Sequence, residues 1–434
     1  MGSKNIKRTF WKYVTMNVLG MIGISCYILA DTFFVARGVG ANGLTALNLA
    51  IPIYSFINGI GLMIGMGGAT RYSISKSNTV FTQSLYFSLM MSSLFFITGL
   101  LFPNQLAIWL GANRVTHEMT KTYLQVILCL SPMFLLNNLM ICFVRNDGNP
   151  GLSMLGMLLG SFSNIILDYV FIFIFNMGMF GAAFATGIAP MVSLTVLSAH
   201  IIKGKNSFFK IEKVRPVLQK FYDISSLGVS ALITELSSGV VMIVFNMIIL
   251  RYAGNLGVAA YGIIANIALV ILSIFTGISQ GVQPIVSTNY GSQQYDNVQK
   301  VLKYGIVVVC VLAIMIYIAS FAFAGPIVSV FNKEQDIELA NIAVKGLRIY
   351  FTAFIFSGIN ILLATYFGSI DRPKNAFIIS ILRVFIFIIP SAFILSALWG
   401  MTGVWLAMPF TELVVLLFSM NLFAQRGLSL VTNN

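Results

Sequence analysis

Long apolar runs separated by short polar connections fill this chain from end to end. Each run is continuous and does not alternate between apolar and polar positions, a pattern that predicts transmembrane helices and not barrel strands. Windows of roughly 20 residues define about twelve spans. They cover residues 13–36, 44–70, 80–104, 120–145, 151–175, 179–202, 223–250, 256–284, 301–331, 339–368, 375–398 and 400–423.

The composition agrees with this pattern. Of the 434 residues, 58% are hydrophobic and 9% are charged, and the mean hydropathy is +0.90. A chain of this composition cannot bury its apolar surface in one water-soluble core, so we expect an all-α integral membrane protein. The first span follows a basic start that resembles a signal peptide, but its length and the absence of a small-residue cleavage site predict that it is retained.

Lysine and arginine are concentrated in the connections on one side of the membrane, the side that also holds both chain ends. The rule that cytoplasmic loops are basic therefore predicts cytoplasmic termini, here in the plasma membrane of a bacterium or archaeon. This bias accounts for most of the net charge of +13, so we expect no nucleic-acid partner. The expected partners are membrane lipids and small molecules, and the expected functional unit is a monomer.

Residues that often carry catalysis or bind metals do not form a recognisable motif. The four cysteines lie inside predicted spans, where an extracellular disulfide is not expected. The two histidines lie in a loop and at a helix end, and the sequence has no phosphate loop or nucleophile elbow. We therefore expect neither an enzyme nor a cofactor. These residues are Cys26, Cys129, Cys142, Cys310, His117 and His200.

The second half of the chain repeats features of the first. Six spans in each repeat keep its direction through the membrane, which predicts two parallel, pseudo-symmetric six-helix bundles around a central cavity. We expect an N-terminal lobe at 1–202, a basic linker at 203–222 and a C-terminal lobe at 223–434. Each glycine pair alone is also explained by close helix packing. The matching residues are Gly40, Gly43 and Ala46 with Gly254, Gly257 and Ala260; Gly61 and Gly65 with Gly277 and Gly281; and Pro150, Gly178 and Gly181 with Pro373, Gly400 and Gly403.

Two carboxylic acids, Asp31 and Asp168, lie inside predicted spans at similar depth. At a rise of 1.5 Å per residue, both are roughly 8 to 10 Å below the same outer surface. Acids within the membrane are costly and are usually retained for function. Tyr27 and Asn164 each lie one turn earlier, on the same helix faces. The pattern predicts one shared site that binds a proton or Na⁺.

Two further acids, Glu235 and Glu412, fall near the middle of the seventh and twelfth spans. That depth suits a substrate cavity, where a carboxylate and aromatic side chains attract lipophilic cations. For Glu412 a second interpretation is open, because pairing with Arg383 would make it a structural bridge.

Three segments, ILADTFFVARGVGANGLTALN, NIILDYVFIF and GMFGAAFAT, resemble the multidrug and toxic compound extrusion (MATE) family of transporters. The resemblance extends over the whole chain. It implies that Asp31 and Asp168 belong to the cation site of the N-terminal lobe, with Tyr27, Asn164 and Thr186 as polar partners. It also matches Glu235 to an acid of the seventh helix.

The tenth span lacks the acid found there in some sodium-coupled members of that family, which gives more weight to coupling through Asp31 and Asp168. We therefore expect an antiporter that exports amphipathic, often cationic, compounds in exchange for H⁺ or Na⁺. The alternative within transport is a flippase for lipid-linked saccharides. The few cations within spans, Lys345, Arg348 and Arg383, disfavour its polyanionic substrate. A receptor or scaffold without transport activity is the alternative from another class.

Overall fold

The chain forms an all-helical membrane protein in the computed structural model, which describes residues 3–204, 207, 212–332 and 335–427. No strand occurs among these residues, and the predicted all-α class is confirmed. The helices are α1 (Ser3–Gly38), α2 (Ala41–Ser75), α3 (Thr79–Leu101), α4 (Pro103–Trp109), α5 (His117–Cys129), α6 (Ser131–Asn146), α7 (Pro150–Tyr169), α8 (Gly178–Ile202), α9 (Leu218–Gly291), α10 (Tyr295–Ala322), α11 (Ala324–Phe331), α12 (Ile337–Tyr350), α13 (Phe354–Ser369), α14 (Pro373–Ile381) and α15 (Ile388–Gly427).

Short irregular turns interrupt several spans. A π-helical turn, Val170–Ile174, follows α7, and a second one, Leu382–Phe387, joins α14 to α15. A 3₁₀ turn, Phe351–Ala353, joins α12 to α13. The predicted fourth span is divided into α5 and α6, which meet at an angle of 49°. Pro132 lies in the first turn of α6, where a missing N–H group is tolerated.

In the described part of the chain, nine helical segments are long and apolar enough to cross a membrane, and the bent pair α5 and α6 makes a tenth. Two of these segments, Leu218–Gly291 and Pro373–Ala424, contain 74 and 52 residues. A single crossing of about 30 Å needs only about 20 residues. Each segment contains a glycine with non-helical geometry, Gly254 in one and Gly400 in the other. If each crosses twice, the number of spans equals the predicted twelve, and that number stays a prediction.

Left-handed backbone geometry recurs at matching places in the two halves. Gly40 and Gly254 have φ values of 86° and 59°, and Gly178 and Gly400 both have a φ of 55°. Glycine adopts this region without the steric cost that other residues incur. These glycines belong to the pairs that the sequence repeat predicted, so the repeat is present in the backbone as well as in the residue pattern.

Buried apolar side chains form two separate cores. One contains residues from Val35 to Leu197 together with Phe221 and Ile224. The other contains residues from Phe245 to Val415 together with four residues from the start of α1. The start of α1 therefore packs on the second core and the start of α9 on the first. The predicted lobes follow these cores closely, and their boundaries stay a prediction.

The two halves approach each other most closely near the side that the charge pattern predicts to be cytoplasmic, called the basic side below. Gly228 of α9 lies against the backbone of Met63, and Gly67 of α2 lies against the backbone of Ile224. A β-carbon at either glycine would overlap a carbonyl group of the opposing helix. Small residues at such crossings let helix backbones pack closely within a membrane.

The two predicted glycine pairs serve close packing, although against different partners. Gly61 and Gly65 of α2 lie against Asn138 of α6, within the first half. Gly281 and Gly277 lie against α1 and thereby join the second half to the first. Both interpretations of these pairs therefore apply, since they occupy matching positions and they permit close approach.

A buried polar network accompanies this contact. The Arg145 side chain is fully buried and donates to Asn17 Oδ1 over 2.9 Å and to Gln280 Oε1 over 2.7 Å. One helix turn further, Gln283 donates to Thr70 Oγ1 over 2.7 Å. Because Gln280 and Gln283 belong to the second half and the other three residues to the first, the network joins the halves. We call these five residues the basic-side network.

The described part of the linker is attached to the first half. Gln83 donates to the carbonyl group of Arg215 over 2.7 Å and accepts from the backbone N–H of Val217 over 3.1 Å. Phe221, in the first turn of α9, stacks on Phe87 with 4.7 Å between ring centres. The predicted linker at 203–222 includes residues outside the described part of the chain.

Replacing Gly228 with alanine should separate α2 from α9, because the new methyl group has no room beside Met63. Overpacking of this kind typically costs about 1–3 kcal/mol. Gly262→Ala is the matched control, since nothing lies within 4 Å of a β-carbon there. Thermal denaturation in detergent should show Gly228→Ala melting below the parent protein and Gly262→Ala at or above it. Equal melting of the two variants would contradict the close contact.

Candidate functional site

The predicted pair of acids, Asp31 and Asp168, lies between α1 and α7. These helices run side by side, with Gly23 against Ser161 below the pair and Gly38 against Ile172 above it. Asp31 is 8% exposed and Asp168 is fully buried. The two carboxyl groups are close enough to interact electrostatically. The structure therefore brings together the two acids that their depth in the sequence had placed at one level.

The start of α7 sets the position of Asp168. Pro150 occupies its first turn, and the side chain of Asn149 caps the helix by accepting from the N–H of Leu152 over 3.2 Å. From there the helical repeat places Asn164 and Asp168 on one face. The π-helical turn begins two residues after Asp168, and such turns frequently occur at functional sites.

Two of the predicted polar partners lie beside Asp168. When its amide nitrogen is oriented toward the acid, Asn164 donates to Asp168 Oδ2 over 3.1 Å and accepts from the backbone N–H of Thr186 over 3.2 Å. That orientation is assigned because it gives both amide atoms a complementary partner. The Thr186 hydroxyl donates to the carbonyl group of Ala182 over 3.0 Å. Tyr123 of α5, which the sequence reasoning did not identify, is within electrostatic range of both acids.

Each acid has one buried oxygen without a partner. Asp31 Oδ1 and Asp168 Oδ1 are buried and form no hydrogen bond with any described residue. A buried oxygen in this condition is costly, because it has lost its hydration without compensation. A proton on either carboxyl, or a small cation between them, would satisfy these oxygens, and carboxylate oxygen is a suitable ligand for both.

Tyr27, the third predicted partner, is half-buried and points toward α2. Its hydroxyl lies 2.7 Å from the hydroxyl of Tyr54. It is also within electrostatic range of Asp31, Asp168 and Glu235. Tyr27 therefore lies between the pair of acids and the acid of the second half.

Glu235 of α9 lies at the junction of the two halves. Asn58 of α2 donates to Glu235 Oε1 over 3.0 Å and accepts from the Asn138 side chain of α6 over 2.8 Å. The side chain of Glu235 is half-buried. An acid of the second half is therefore held by two amides of the first.

Glu412 lies elsewhere, within the second half, and is fully buried. Arg383 Nε donates to its Oε1 over 2.5 Å, and Asn360 donates to its Oε2 over 2.8 Å. Arg383 itself belongs to the π-helical turn between α14 and α15. This geometry is the structural bridge that the sequence left open, and it places Glu412 apart from Glu235.

Sequence reasoning missed four polar residues around these acids: Tyr54, Asn58, Tyr123 and Asn138. A usable signal was present, because Tyr54 and Asn58 are one turn apart in an otherwise apolar helix. Polar residues at that spacing share a helix face and indicate a polar neighbour. The spacing does not indicate which helix supplies that neighbour.

The sequence pattern of the MatE family matches residues 18–170 and 231–394, which is most of the chain and contains Asp31, Asp168 and Glu235. The chain belongs to the MatE family. It is therefore similar in sequence to transporters, and this agrees with the resemblance seen in its own segments. Its membrane-spanning helices and its family together identify a multi-pass membrane protein.

Relatives and solved structures agree with this assignment. The chain is 28% identical over 395 residues to the multidrug export protein MepA of Staphylococcus aureus (strain MSSA476), covering 89% of this chain and 86% of that protein. Its fold matches a MOP superfamily transporter from Pyrococcus furiosus, described as having a binding pocket of reverse polarity, with a TM-score of 0.90 and 21% identity over 98% of this chain and 97% of that one. It also matches a multidrug resistance MATE family transporter in an outward-facing conformation, with a TM-score of 0.90 and 22% identity over 98% and 96% of the two chains.

Glu412→Gln should destabilise the protein strongly, because it leaves the Arg383 cation nearly buried without a charged partner. Breaking a buried ion pair from one side typically costs about 3–5 kcal/mol. Glu118→Gln is the control, since Glu118 pairs with Lys121 at the surface and surface pairs contribute about 0–1 kcal/mol. Thermal denaturation in detergent should separate the two variants. A melting temperature for Glu412→Gln equal to that of Glu118→Gln would show that the bridge contributes little.

Proposed function

We infer that this protein exports amphipathic, often cationic, compounds in exchange for H⁺ or Na⁺ bound at Asp31 and Asp168. The observation that carries this function is the pair of buried carboxyl groups, each with one unpartnered oxygen. Neutralising either charge would relieve the cost of holding two acids together in the membrane. The similarity to a multidrug export protein supports the substrate class.

Export proceeds by alternating access of the two halves. In the present conformation, Gly67, Gly228 and the basic-side network hold the halves together on the basic side. Substrate and ion therefore exchange with the opposite side. Ion binding at Asp31 and Asp168 shifts the balance between this conformation and one that opens on the basic side.

Glu235 provides the charge that recognises the substrate. It is half-buried at the junction of the halves, within electrostatic range of the Tyr27 and Tyr54 rings. A carboxylate beside aromatic rings favours lipophilic cations through charge and cation–π attraction. Glu412 is bound to Arg383 inside the second half. The substrate role that the sequence predicts for both acids is therefore assigned to Glu235 alone.

The surroundings of the in-span cations favour drug export over the flipping of lipid-linked saccharides. Arg383 is paired with Glu412. Arg348 lies over the ring of Phe321 on the exposed side of α12, and Lys345 is exposed on the same helix. Among the described residues, Glu235 is bonded by the neutral amide of Asn58, so the junction presents an acid to its substrate.

The cellular setting follows from the same features. The relatives are named as exporters and transporters, which supports transport and not catalysis. We place the protein in the plasma membrane of a bacterium or archaeon with both termini in the cytoplasm. It acts there as a monomer in contact with membrane lipids, without a cofactor.

Asp31→Asn should abolish ion-driven export while the protein still folds, because an amide has nearly the size of the carboxyl group but cannot exchange a proton or balance a cation. The measurement is efflux of a fluorescent cationic dye from proteoliposomes, with a H⁺ gradient or a Na⁺ gradient imposed separately. Glu118→Gln serves as the control acid and should transport normally. Full activity of Asp31→Asn under both gradients would refute coupling at this site.

Glu235→Gln should lower the affinity for a cationic dye more than the affinity for a neutral amphipathic compound of similar size. Loss of one favourable charge contact of about 1.4 kcal/mol corresponds to about tenfold in Kd. Binding of both compounds to purified protein, followed by fluorescence, gives the two ratios. Equal losses of affinity for both compounds would show that Glu235 does not recognise charge.

The proteoliposome assay also tests the flippase alternative. Turnover of a lipid-linked saccharide in those vesicles, without dye efflux, would favour the flippase.

A further inference from the structure

Polar side chains lie in a row between the pair of acids and Glu235, and this row crosses from one half of the protein to the other. Starting at Asp31, the row continues one turn along α1 to Tyr27 and then across 2.7 Å to Tyr54. One turn along α2 from Tyr54 lies Asn58, which donates to Glu235 over 3.0 Å. Polar side chains within a membrane are costly and are usually retained for a function.

Helix α6 holds the central part of this row in place. The Tyr54 ring packs edge-on against Phe134, with 5.6 Å between ring centres and an interplanar angle of 84°. One turn further along α6, Asn138 donates to Asn58 Oδ1 over 2.8 Å. Because that oxygen is occupied, the Asn58 amide is oriented with its nitrogen toward Glu235.

The bond between the two tyrosine hydroxyls can be reversed. Either hydroxyl can be the donor, and each can accept as well as donate. If the Tyr27 hydroxyl turns toward Asp31, Tyr54 must become the donor to Tyr27. If the coupling ion binds Asp31, Tyr27 can donate to Tyr54 instead. The dipole of the hydroxyl pair, which lies near Glu235, then changes its direction. Glu235 is within electrostatic range of both rings.

We propose that the hydroxyl pair of Tyr27 and Tyr54, together with Asn58, transmits ion occupancy at Asp31 and Asp168 to Glu235 and so sets its affinity for a cationic substrate. The inference rests on the proposed function. These three residues are positioning residues, since they act through the acids and not on the substrate. The titratable groups within electrostatic range of the hydroxyl pair are Asp31, Asp168, Tyr123 and Glu235.

The test measures how strongly the coupling ion changes substrate affinity. A fluorescent rhodamine-type cation is titrated into purified protein at high and at low concentration of the ion that drives export. Linkage between two sites typically changes affinity by about 5- to 150-fold, so the parent protein should show a ratio of at least about fivefold. Tyr54→Phe removes one hydroxyl and little volume, and it should reduce this ratio to below about twofold.

Two further variants complete the measurement, one as a control and one as a second test. Tyr86→Phe also removes a hydroxyl, from a tyrosine that packs on the first core, and it should keep the ratio of the parent protein. Tyr27→Phe breaks the same hydroxyl pair from the other end, and it should behave like Tyr54→Phe. It also replaces Tyr54→Phe if that variant does not fold, as judged by its melting temperature.

The outcomes separate this inference from the proposed function. If Asp31→Asn loses the ion dependence but both tyrosine variants of the row keep it, the transmission through Tyr27 and Tyr54 is wrong and coupling at the acids stands. If the parent protein itself shows no ion dependence and matches Asp31→Asn, ion coupling is refuted and this inference with it. Loss of the ratio in Tyr86→Phe as well would refute the assignment to this row.

Discussion

Arg145 is a fully buried cation whose described partners are neutral. Its guanidinium is held by the amide oxygen of Asn17 from the first half and that of Gln280 from the second. A buried charge without a carboxylate depends on such hydrogen bonds, because separation from them leaves it without solvation. The contact of the two halves on the basic side therefore depends on this one side chain more than on the exposed ion pair of Arg71 and Asp371.

In the proposed exporter, the same contact determines how the ion and substrate sites communicate. Helix α2 touches α9 at two levels, through Thr70 with Gln283 near the basic side and through Asn58 with Glu235 deeper in the membrane. These two bonds reach parts of α9 that lie on either side of the break at Gly254, so α2 contacts both parts of that segment. The hydrogen bond to Glu235 therefore crosses the contact of the two halves, and in the proposed transmission a signal from α1 reaches it through side chains of α2.

Much of this arrangement could be predicted from the sequence, for physical reasons that differ between residues. The sequence predicts that Asp31 and Asp168 lie at one level, because an acid in an apolar span is conspicuous and because helix length converts directly into depth. The sequence does not decide whether Glu412 pairs with Arg383. The position of a residue within a span gives its depth in the membrane but not the direction in which its side chain points. Arg145 ends the predicted fourth span at 120–145, and only the fold shows that its side chain is buried.

The remaining features depend on contacts between helices that are distant in sequence. Tyr54 and Asn58 share a helix face, but only the fold shows that this face meets Tyr27 on one side and Glu235 on the other. The bend between α5 and α6 determines where Phe134 and Asn138 stand, and a hydropathy window treats these helices as one span. The sequence does not indicate this bend. It therefore does not indicate that α6 packs beside the hydroxyl pair of Tyr27 and Tyr54.

The two halves repeat their backbone but not their chemistry. By the spacing of Gly40 and Gly254, the position of Asp31 corresponds to Phe245 in the second half. Phe245 is fully buried and stacks on Tyr261, so an apolar aromatic cluster occupies the place of the acid. The pair of buried acids therefore has no counterpart at Phe245 in the second half, whereas Glu235 comes from that half. In the proposed exporter, the energy of ion binding would be passed to the substrate across the contact of α2 and α9, where Asn58 bonds to Glu235.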